Sequence, residues 1–209
     1  MLLYILPLIA GYLLGSISFS YLIGKWVKGI DIRHHGSGNA GATNTLRVLG
    51  VGPAISVLAM DVVKGILAVW ISIWAFPEEQ WLHALTGLSV ILGHNWPVFF
   101  GFKGGKGIAT TIGVTASLFF FSALYAGIIA ILSIVWTRYV SLGSLIFTGL
   151  LPLFVFWQHG IHAFFWLTLV IACFAFTRHR SNLVKLVKGQ ENKLGSKGTK
   201  GSKKKTLEP

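Results

Sequence analysis

Residues 35–47 read HGSGNAGATNTLR and separate two long apolar runs. The glycines permit positive φ and close backbone approach, so several N–H groups can turn towards one ligand. The hydroxyl and amide side chains add hydrogen-bond donors, and the closing arginine offers a planar charged fork that suits phosphate. A flexible linker is the competing interpretation, but this polar content favours an anion-binding loop. The candidate binding residues are Gly36, Ser37, Gly38, Asn39, Gly41, Thr43, Asn44 and Arg47.

The composition of the chain indicates an integral membrane protein. Of its 209 residues, 54% are hydrophobic and 11% are charged, whereas soluble domains carry about 25% charged residues. The net charge is +12, but the basic residues lie mainly between apolar runs and in a C-terminal tail, as in cytoplasmic loops. We therefore predict membrane lipid, and not nucleic acid, as a partner. The one cysteine, Cys173, lies in an apolar run and is expected to serve packing.

The apolar runs predict the topology, since a helix needs roughly 20 residues to cross a bilayer. The run 108–136 is too long for one span, so we expect two helices there with a tight turn around residues 120–122. Sorting the loops by lysine and arginine places the N-terminus outside and the C-terminus in the cytoplasm. The predicted fold is an all-α polytopic membrane protein with seven transmembrane helices, drawn from residues 2–24, 48–76, 81–93, 108–136 (two helices), 141–157 and 161–177.

The sequence divides into two parts. Residues 1–184 form the predicted transmembrane catalytic domain, and residues 185–209 form a basic tail that we expect to be disordered. The end of this tail, from residue 201, resembles an engineered extension and carries no functional argument. The first apolar run lacks a basic leading region and a convincing cleavage site, so we expect it to be retained as a span.

Two further polar segments are predicted at the same membrane face as residues 35–47. The first ends in a glycine-rich loop with a lysine, ahead of a helix start near residue 108, and so combines N–H groups, a helix N-terminus and a cation. Its candidate residues are Gly104, Gly105, Lys106 and Gly107, whereas His94 is expected to be an interfacial structural residue. The second segment contributes His179, Arg180 and Asn182. Ser144, just inside the sixth span, faces either a site or its own helix.

Acidic residues are few, and one of them lies inside an apolar run. Asp61 and Lys64 are three residues apart and therefore share a helical face. Charge at that depth is costly in lipid, so the pair should face the bundle interior or a wet cavity. A structural ion pair is at least as consistent with this pattern as a catalytic role. A carboxylate-based magnesium site is not predicted, so arginine, lysine and backbone N–H groups must meet the charge of a phosphate.

Three motifs carry a resemblance to a known family. They are GSGNAGATN at 36–44 with Arg47, GHNWPVFFGFKGGKG at 93–107, and RHRSN at 178–182. Together they resemble the bacterial acyl-phosphate:glycerol-3-phosphate acyltransferases, the PlsY family, over essentially the whole chain to about residue 188. The resemblance implies transfer of a fatty acyl group from acyl phosphate to the 1-hydroxyl of glycerol 3-phosphate. The products would be lysophosphatidic acid and phosphate, at the entry to phospholipid synthesis.

The resemblance also implies which residues form the site. Arg47 and Lys106 are assigned to the phosphate of glycerol 3-phosphate, and the backbone of residues 104–107 to the acyl-phosphate head group. The implied catalytic residues are Ser37, Lys106, His179 and Asn182. The implied substrate-binding residues are Gly36, Gly38, Asn39, Thr43, Asn44, Arg47, Gly104, Gly105, Lys106, Gly107, Ser144 and Arg180. No metal or other cofactor is implied, and we expect a monomer in the bacterial inner membrane with its active site on the cytoplasmic face.

The chemistry of the donor indicates a mechanism. A mixed anhydride is already activated, so cationic stabilisation of the leaving phosphate counts for more than a strong nucleophile. We expect direct transfer, with either a substrate phosphate oxygen, which we favour, or His179 taking the hydroxyl proton. Ser37 as a covalent nucleophile lacks an evident orienting carboxylate.

Two other classes of protein compete with this interpretation. A transporter for a phosphorylated solute would explain the glycine-interrupted spans and the Asp61/Lys64 pair. Against it, the sequence has no inverted internal repeat, and its polar segments crowd one face and not the midplane. A purely structural scaffold would leave Arg47, Lys106 and His179 unexplained.

Overall fold

The structure is a computed structural model that describes residues 2–195, and the regular secondary structure within that range is entirely helical. Single turns of 3-10 helix occur at Leu2–Tyr4, Ile32–His34 and Val98–Phe100. The α-helices of this range are α1 Ile5–Gly15, α2 Phe19–Lys28, α3 Ala42–Leu49, α4 Val51–Ala75, α5 Gln80–Asn95, α6 Ile108–Leu118, α7 Phe120–Thr137, α8 Val140–His159, α9 Ala163–Arg178 and α10 Arg180–Val187. The predicted all-α class is confirmed for the described residues.

Four stretches of this range are long and apolar enough to cross a membrane. They are residues 5–28, formed by α1 and α2, and the helices α4, α7 and α8. Helices α6 and α9 are apolar but shorter, and both fall below the roughly 20 residues that a straight crossing needs. Length and composition therefore do not by themselves yield seven crossings, and that count stays a prediction.

The first apolar run is not the single helix that its composition predicts. Helix α1 ends at Gly15 and α2 begins at Phe19. The amine of Lys64 in α4 donates to the two carbonyls at this break, Gly15 O at 3.1 Å and Ile17 O at 2.9 Å. A buried cation thus satisfies carbonyl groups that the end of a helix leaves without a helical donor.

The run 108–136 divides into α6 and α7 as expected, but the division lies at Phe119 and not at residues 120–122. Phe119 is 3% exposed, and its ring packs against Phe164 of α9 with the centroids 5.7 Å apart. Burial of this aromatic ring decides where one helix ends and the next begins. The apolar composition of the run does not show that contact.

Glycines let the helices around the site approach closely. A Cβ at Gly113 of α6 would lie 2.1 Å from the carbonyl oxygen of Val62 in α4. A Cβ at Gly93 of α5 would lie 2.2 Å from the carbonyl oxygen of Tyr12 in α1. Neither contact tolerates a side chain, as expected for helices that pack through small residues in a membrane bundle.

The C-terminal boundary differs from the predicted one, because residue 185 falls inside α10. Beyond this helix the chain turns back onto the bundle: the Leu194 N–H donates to Arg138 O at 2.7 Å, and Arg138 Nη2 donates to Leu194 O at 2.6 Å. Glu191 is only 8% exposed. Residues 185–195 of the predicted disordered tail therefore have a defined structure that is attached to the bundle at Glu191 and Leu194, whereas residues 196–209, including the engineered-looking end, lie outside the described residues.

Candidate active site

A large cavity brings the three polar segments together. It encloses about 980 Å³. Its polar end is formed by the 35–47 segment, the 104–107 loop and the junction of α9 with α10, and its apolar arm lies between α4, α6, α7 and α8. The predicted site residues that line it are Ser37, Gly38, Asn39, Gly41, Thr43, Asn44, Arg47, Gly104, Lys106, Gly107, Ser144, His179 and Asn182.

Asn44 organises the first glycine-rich segment. Its Nδ2 donates to Ile32 O at 3.1 Å and to His35 O at 3.0 Å, and its Oδ1 accepts from the Ser37 N–H at 2.8 Å. Gly36 has φ 61°, and a Cβ there would lie 2.3 Å from Asn44 Oδ1. The amide of Asn44 is thus engaged in shaping the loop that presents Ser37. Gly36 lies behind this loop and does not reach the cavity, contrary to its predicted role in binding.

Arg33, which forms a salt bridge with Asp31, connects this segment to the next one through a hydrogen bond. Arg33 Nη2 lies 2.8 Å from Asp31 Oδ2, and Arg33 Nη1 donates to Phe100 O at 2.7 Å. The hydrogen bond from the Arg33 side chain is the main cause that lowers the pKa of Asp31 to about 2. The salt bridge is therefore ionised at neutral pH, and the hydrogen bond from Arg33 to Phe100 O connects the chain before residue 35 to the chain before residue 104.

Two cations line the cavity from different segments. Arg47 is exposed in the last turn of α3, and Lys106 is partly buried just before α6. Lys106 donates to the Oδ1 of Asn182. Burial lowers the pKa of Lys106 to about 8; Glu191 opposes this fall in pKa, and the positive charges of neighbouring arginines add to it. An anion between Arg47 and Lys106 would meet two positive charges in a site partly shielded from water.

The glycine loop 104–107 is held from behind. The Gly105 N–H donates to His94 O at 3.1 Å, and Arg178 Nη2 donates to Gly105 O at 2.6 Å and to Gly104 O at 3.3 Å. The guanidinium of Arg178 also lies over the ring of Trp96, 5.3 Å from its centroid. The loop carbonyls therefore turn towards Arg178. The cavity side holds the N-terminus of α6, where the first-turn N–H groups have no intrahelical acceptor.

His179 and Asn182 line the cavity from the junction of α9 and α10. His179 Nδ1 lies 2.8 Å from Ala175 O, and because a carbonyl only accepts, Nδ1 carries the proton and Nε2 keeps a lone pair. Burial is the main cause that lowers the pKa of His179 to about 4, and the charge of Lys106 adds to it. The imidazole is therefore neutral at pH 7. Asn182 Nδ2 donates to Glu191 Oε1 at 2.8 Å, which fixes the orientation of its amide.

Ser144 fits both of the alternatives that its sequence position left open. Its side chain lines the cavity, and its hydroxyl donates to Val140 O of the same helix at 2.9 Å. Since the hydroxyl proton is used within the helix, the Ser144 oxygen is available to the cavity as an acceptor.

Besides Gly36, two predicted residues lie away from the cavity. Arg180 is exposed and does not line it, whereas Arg178, two residues earlier, does. Gly105 packs against His94 and Ala40, because a Cβ there would lie 2.1 Å from His94 Nε2 and 2.5 Å from Ala40 O. The prediction assigned direct binding to both residues. The structure instead makes Gly105 a close-packed position and places Arg178 against the loop.

The cavity wall also includes residues that the sequence argument did not assign to it. Asp61, His94, Arg178 and Glu191 all line it. Glu191 had a usable signal, since it is an isolated acidic residue in a strongly basic tail. Its Oε1 accepts from Ser141 at 3.0 Å as well as from Asn182, so it anchors the C-terminal segment at the polar end.

Comparisons with known proteins bear on the identity of this fold. A family model described as glycerol-3-phosphate acyltransferase matches residues 5–189. The chain is 56% identical over 197 residues to a glycerol-3-phosphate acyltransferase of Halalkalibacterium halodurans, covering 92% of this chain and 96% of that protein. It is 44% identical over 195 residues to one of a Thermoanaerobacter species, with coverage of 92% and 96%.

Solved structures with the same fold extend this result. One is the crystal structure of PlsY, an integral membrane glycerol 3-phosphate acyltransferase, in its glycerol 3-phosphate form. It matches with a TM-score of 0.87 and 40% identity, covering 92% of this chain and 96% of that one. The lysophosphatidic acid form gives a TM-score of 0.85 and 39% identity, with coverage of 92% and 95%. The resemblance inferred from three motifs is thereby confirmed, and the chain belongs to the PlsY family of glycerol-3-phosphate acyltransferases.

Proposed function

We propose that this protein is a membrane acyltransferase that moves a fatty acyl group from acyl phosphate to the 1-hydroxyl of glycerol 3-phosphate. The products are 1-acyl-glycerol 3-phosphate, which is lysophosphatidic acid, and inorganic phosphate, in the first step of phospholipid synthesis. The observation that carries the proposal is one cavity that joins a cationic, glycine-lined polar end to an apolar arm. The names of the relatives and the two ligand forms of the related crystal structure support the acceptor and the product.

Glycerol 3-phosphate binds at the polar end. Arg47 and Lys106 take its phosphate, because charge-assisted hydrogen bonds from a guanidinium and an ammonium are the strong ones available here. The glycerol hydroxyls lie near Ser144, His179 and Asn182. The neutral imidazole offers the lone pair of Nε2, and the Ser144 oxygen offers an acceptor, so both orient a hydroxyl without carrying charge.

The acyl-phosphate head group lies against the backbone of residues 104–107 and the start of α6. A helix N-terminus beside a cation suits a phosphate, and Gly104 and Gly107 both line the cavity there. From the other side, the loop that carries Gly38 and Asn39 presents Ser37 and Thr43 as hydrogen-bond partners for the reacting groups. Two phosphate-bearing substrates then meet in one shell, which supplies much of the catalysis by positioning.

The acyl chain lies in the apolar arm of the cavity and enters sideways from the lipid. Several residues that line the arm are also exposed at the side of the bundle, among them Ile55 at 60%, Leu58 at 44% and Ile131 at 61%. The arm is therefore open along its flank, between α4 and α7. An apolar surface of this kind is compatible with lipid but costly in water.

Transfer is direct in this mechanism. The 1-hydroxyl oxygen attacks the acyl carbonyl carbon, the bond from that carbon to the phosphate oxygen breaks, and phosphate leaves. The hydroxyl proton passes to a phosphate oxygen of a substrate, because His179, with a pKa of about 4, is a weaker base than a phosphate with a second pKa of about 6. Ser37 is not acylated, and in the described part of the chain no hydrogen bond joins its hydroxyl to a base.

We also propose that the reaction needs no metal ion. Two carboxylates line the cavity within residues 2–195. Asp61 is paired with Lys64, with Oδ1 2.7 Å from Nζ, and Glu191 accepts from Ser141 and Asn182 through Oε1, while its Oε2 has no hydrogen-bond partner in the same range. Magnesium sites are usually built on carboxylates together with substrate phosphates. The substrate charge is instead met by Arg47 and Lys106.

We propose seven crossings, with the N-terminus outside and the site at the cytoplasmic face of the bacterial inner membrane. Helix α4 starts at the polar end of the cavity with Val51, and the acidic connection at Glu78 and Glu79 follows its other end. The basic residues Lys25 and Lys28 close α2 on the side of the 35–47 segment. This asymmetry supports the orientation. All groups of the site come from one chain, so a monomer suffices.

Acyl transfer by the purified protein in lipid vesicles tests the function. Acyl phosphate and glycerol 3-phosphate should yield lysophosphatidic acid and phosphate in equal amounts, measured by mass spectrometry and by a phosphate assay. Acyl thioesters offered in place of acyl phosphate test the donor. Product formed from a thioester and not from acyl phosphate would contradict the proposed donor, and no product from any donor would contradict the function.

A further inference from the structure

Beneath the 104–107 loop lies a buried charged cluster that the transfer step does not use directly. Asp61 and Lys64 of α4 and His94 of α5 are 1%, 2% and 7% exposed. Lys64 Nζ lies 2.7 Å from Asp61 Oδ1 and 3.0 Å from His94 Nδ1, and the latter two atoms are 3.5 Å apart. Taking such charges out of water costs several kcal/mol per ion before pairing. A buried ion pair is therefore weak evidence for stability alone.

On one side, the cluster forms hydrogen bonds to the break between α1 and α2 in the first span. Besides its contacts to Asp61 and His94, the Lys64 ammonium donates to Gly15 O and Ile17 O, at 3.1 Å and 2.9 Å. An ammonium has three N–H donors, so these two bonds leave one donor for His94 Nδ1, while Asp61 Oδ1 is in ion-pair contact with the same amine. The position of Lys64 is thus set by backbone groups of a different helix.

The other side of the cluster supports the glycine loop. His94 O accepts from the Gly105 N–H at 3.1 Å, and a Cβ at Gly104 would lie 2.1 Å from the same oxygen. At Gly105 a Cβ would lie 2.1 Å from His94 Nε2 and 2.5 Å from Ala40 O. The backbone and the ring of His94 therefore both contact the 104–107 loop, and Ala40 of the 35–47 segment contacts the loop at Gly105.

We propose that Asp61, Lys64 and His94 are positioning residues for acyl transfer. Lys64 holds the His94 ring in a fixed position relative to the break between α1 and α2. His94 in turn sets the position of the 104–107 loop relative to the acyl-phosphate head group. Asp61 balances the charge of Lys64 and holds its amine in place. The inference rests on the proposed function, because the loop is the one to which that function assigns the donor. A misplacement of about 1 Å can cost on the order of a hundredfold in rate.

A pair of charge variants separates positioning from simple charge balance. Lys64→Met removes the amine, and Asp61→Asn with Lys64→Met removes both charges at similar volume. We expect both proteins to lose about tenfold or more in kcat, because the loop that takes the donor is no longer held in place. The double variant should regain the thermal midpoint that the single variant loses. A double variant with the kcat of the wild type would overturn the proposal.

Two His94 variants test the bridge itself and do not change a charge on α4. His94→Asn keeps a polar group near Nδ1, facing Lys64, and His94→Gln keeps one near Nε2, facing Gly105. Both should lower kcat, since each breaks one end of the bridge. The matched control is Ser72→Ala, a buried position on α4 with an unpartnered hydroxyl in the described structure, which should keep the kcat of the wild type. Full activity in either His94 variant would contradict the bridge.

Hydrogen exchange measures the local stability of the 104–107 loop independently of the reaction. The Gly105 amide should exchange faster in Lys64→Met and in His94→Asn than in the wild type, while peptides from α8 keep their protection. Lost kcat with unchanged exchange at residues 104–107 would overturn the positioning role. If the wild type makes no lysophosphatidic acid, the proposed function fails, and the exchange experiment still decides whether the cluster holds the loop.

Discussion

Lys106 makes the requirement for glycerol 3-phosphate depend on pH in a way that can be worked out. Its pKa is about 8 because the amine is partly buried and lies near other cations. If only the charged amine binds the phosphate, the apparent KM scales with one plus ten to the power of pH minus pKa, so it rises about tenfold from pH 7 to pH 9. The KM increases with pH because deprotonation of Lys106 removes the positive charge that binds the phosphate. His179, with a pKa of about 4, stays neutral throughout.

The assay is the initial rate of phosphate release in lipid vesicles at saturating acyl phosphate, with glycerol 3-phosphate varied at pH 7, 8 and 9. Spontaneous hydrolysis of the donor is subtracted at each pH, and lysophosphatidic acid is identified by mass spectrometry. Lys106→Arg is the matched control, since a guanidinium remains charged and its KM should be flat across this range. A flat KM in the wild type, or an equal rise in Lys106→Arg, would refute the assignment of Lys106 to the phosphate.

Three further outcomes follow from the site. Arg47→Ala should raise the KM for glycerol 3-phosphate about 10- to 150-fold, because a hydrogen bond to a charged group contributes about 1.5–3 kcal/mol. Steady-state kinetics measure this KM beside that of Arg180→Ala, a change at an exposed residue that should leave the KM unaffected. Equal KM values in the two variants would disprove the role of Arg47. Gly105→Ala should lower kcat about tenfold or more, since its Cβ would lie 2.1 Å from His94 Nε2, whereas Gly52→Ala, with nothing within 4 Å, should keep full activity in the same assay. Activity should also survive a chelator, and a loss that magnesium restores would show that a metal takes part.

The two arginines around His179 show where prediction from local pattern stopped. Arg178 ends α9 and Arg180 begins α10, with His179 at the break between them, so the two arginines belong to different helices. Their spacing in the sequence does not say which of them faces a site. The packing of α9 beside α5 decides it, because it brings Arg178 onto the carbonyls of Gly104 and Gly105.

Asn44 and the first apolar run show the same limit. The amide side chain looked like a ligand-binding donor, but it closes its own loop through Ile32 and His35. The run 2–24 is apolar throughout much of its length, yet it is broken where Lys64 of another helix supplies hydrogen bonds to its carbonyls. In both cases a contact between segments overrode what the local composition favoured.

Apolar run length and short motifs are properties of consecutive residues, so the all-helical membrane class, the glycine-and-cation segments and the family could all be recognised without coordinates. The sequence also predicted that the three segments meet in one site, whereas the apolar arm of the cavity between four helices, the contacts of Arg178 and the support of the 104–107 loop by His94 belong to the folded chain alone. They arise from hydrogen bonds and close packing between residues on different helices. The pattern within one segment does not show which carbonyl groups of another helix a buried lysine such as Lys64 will bind.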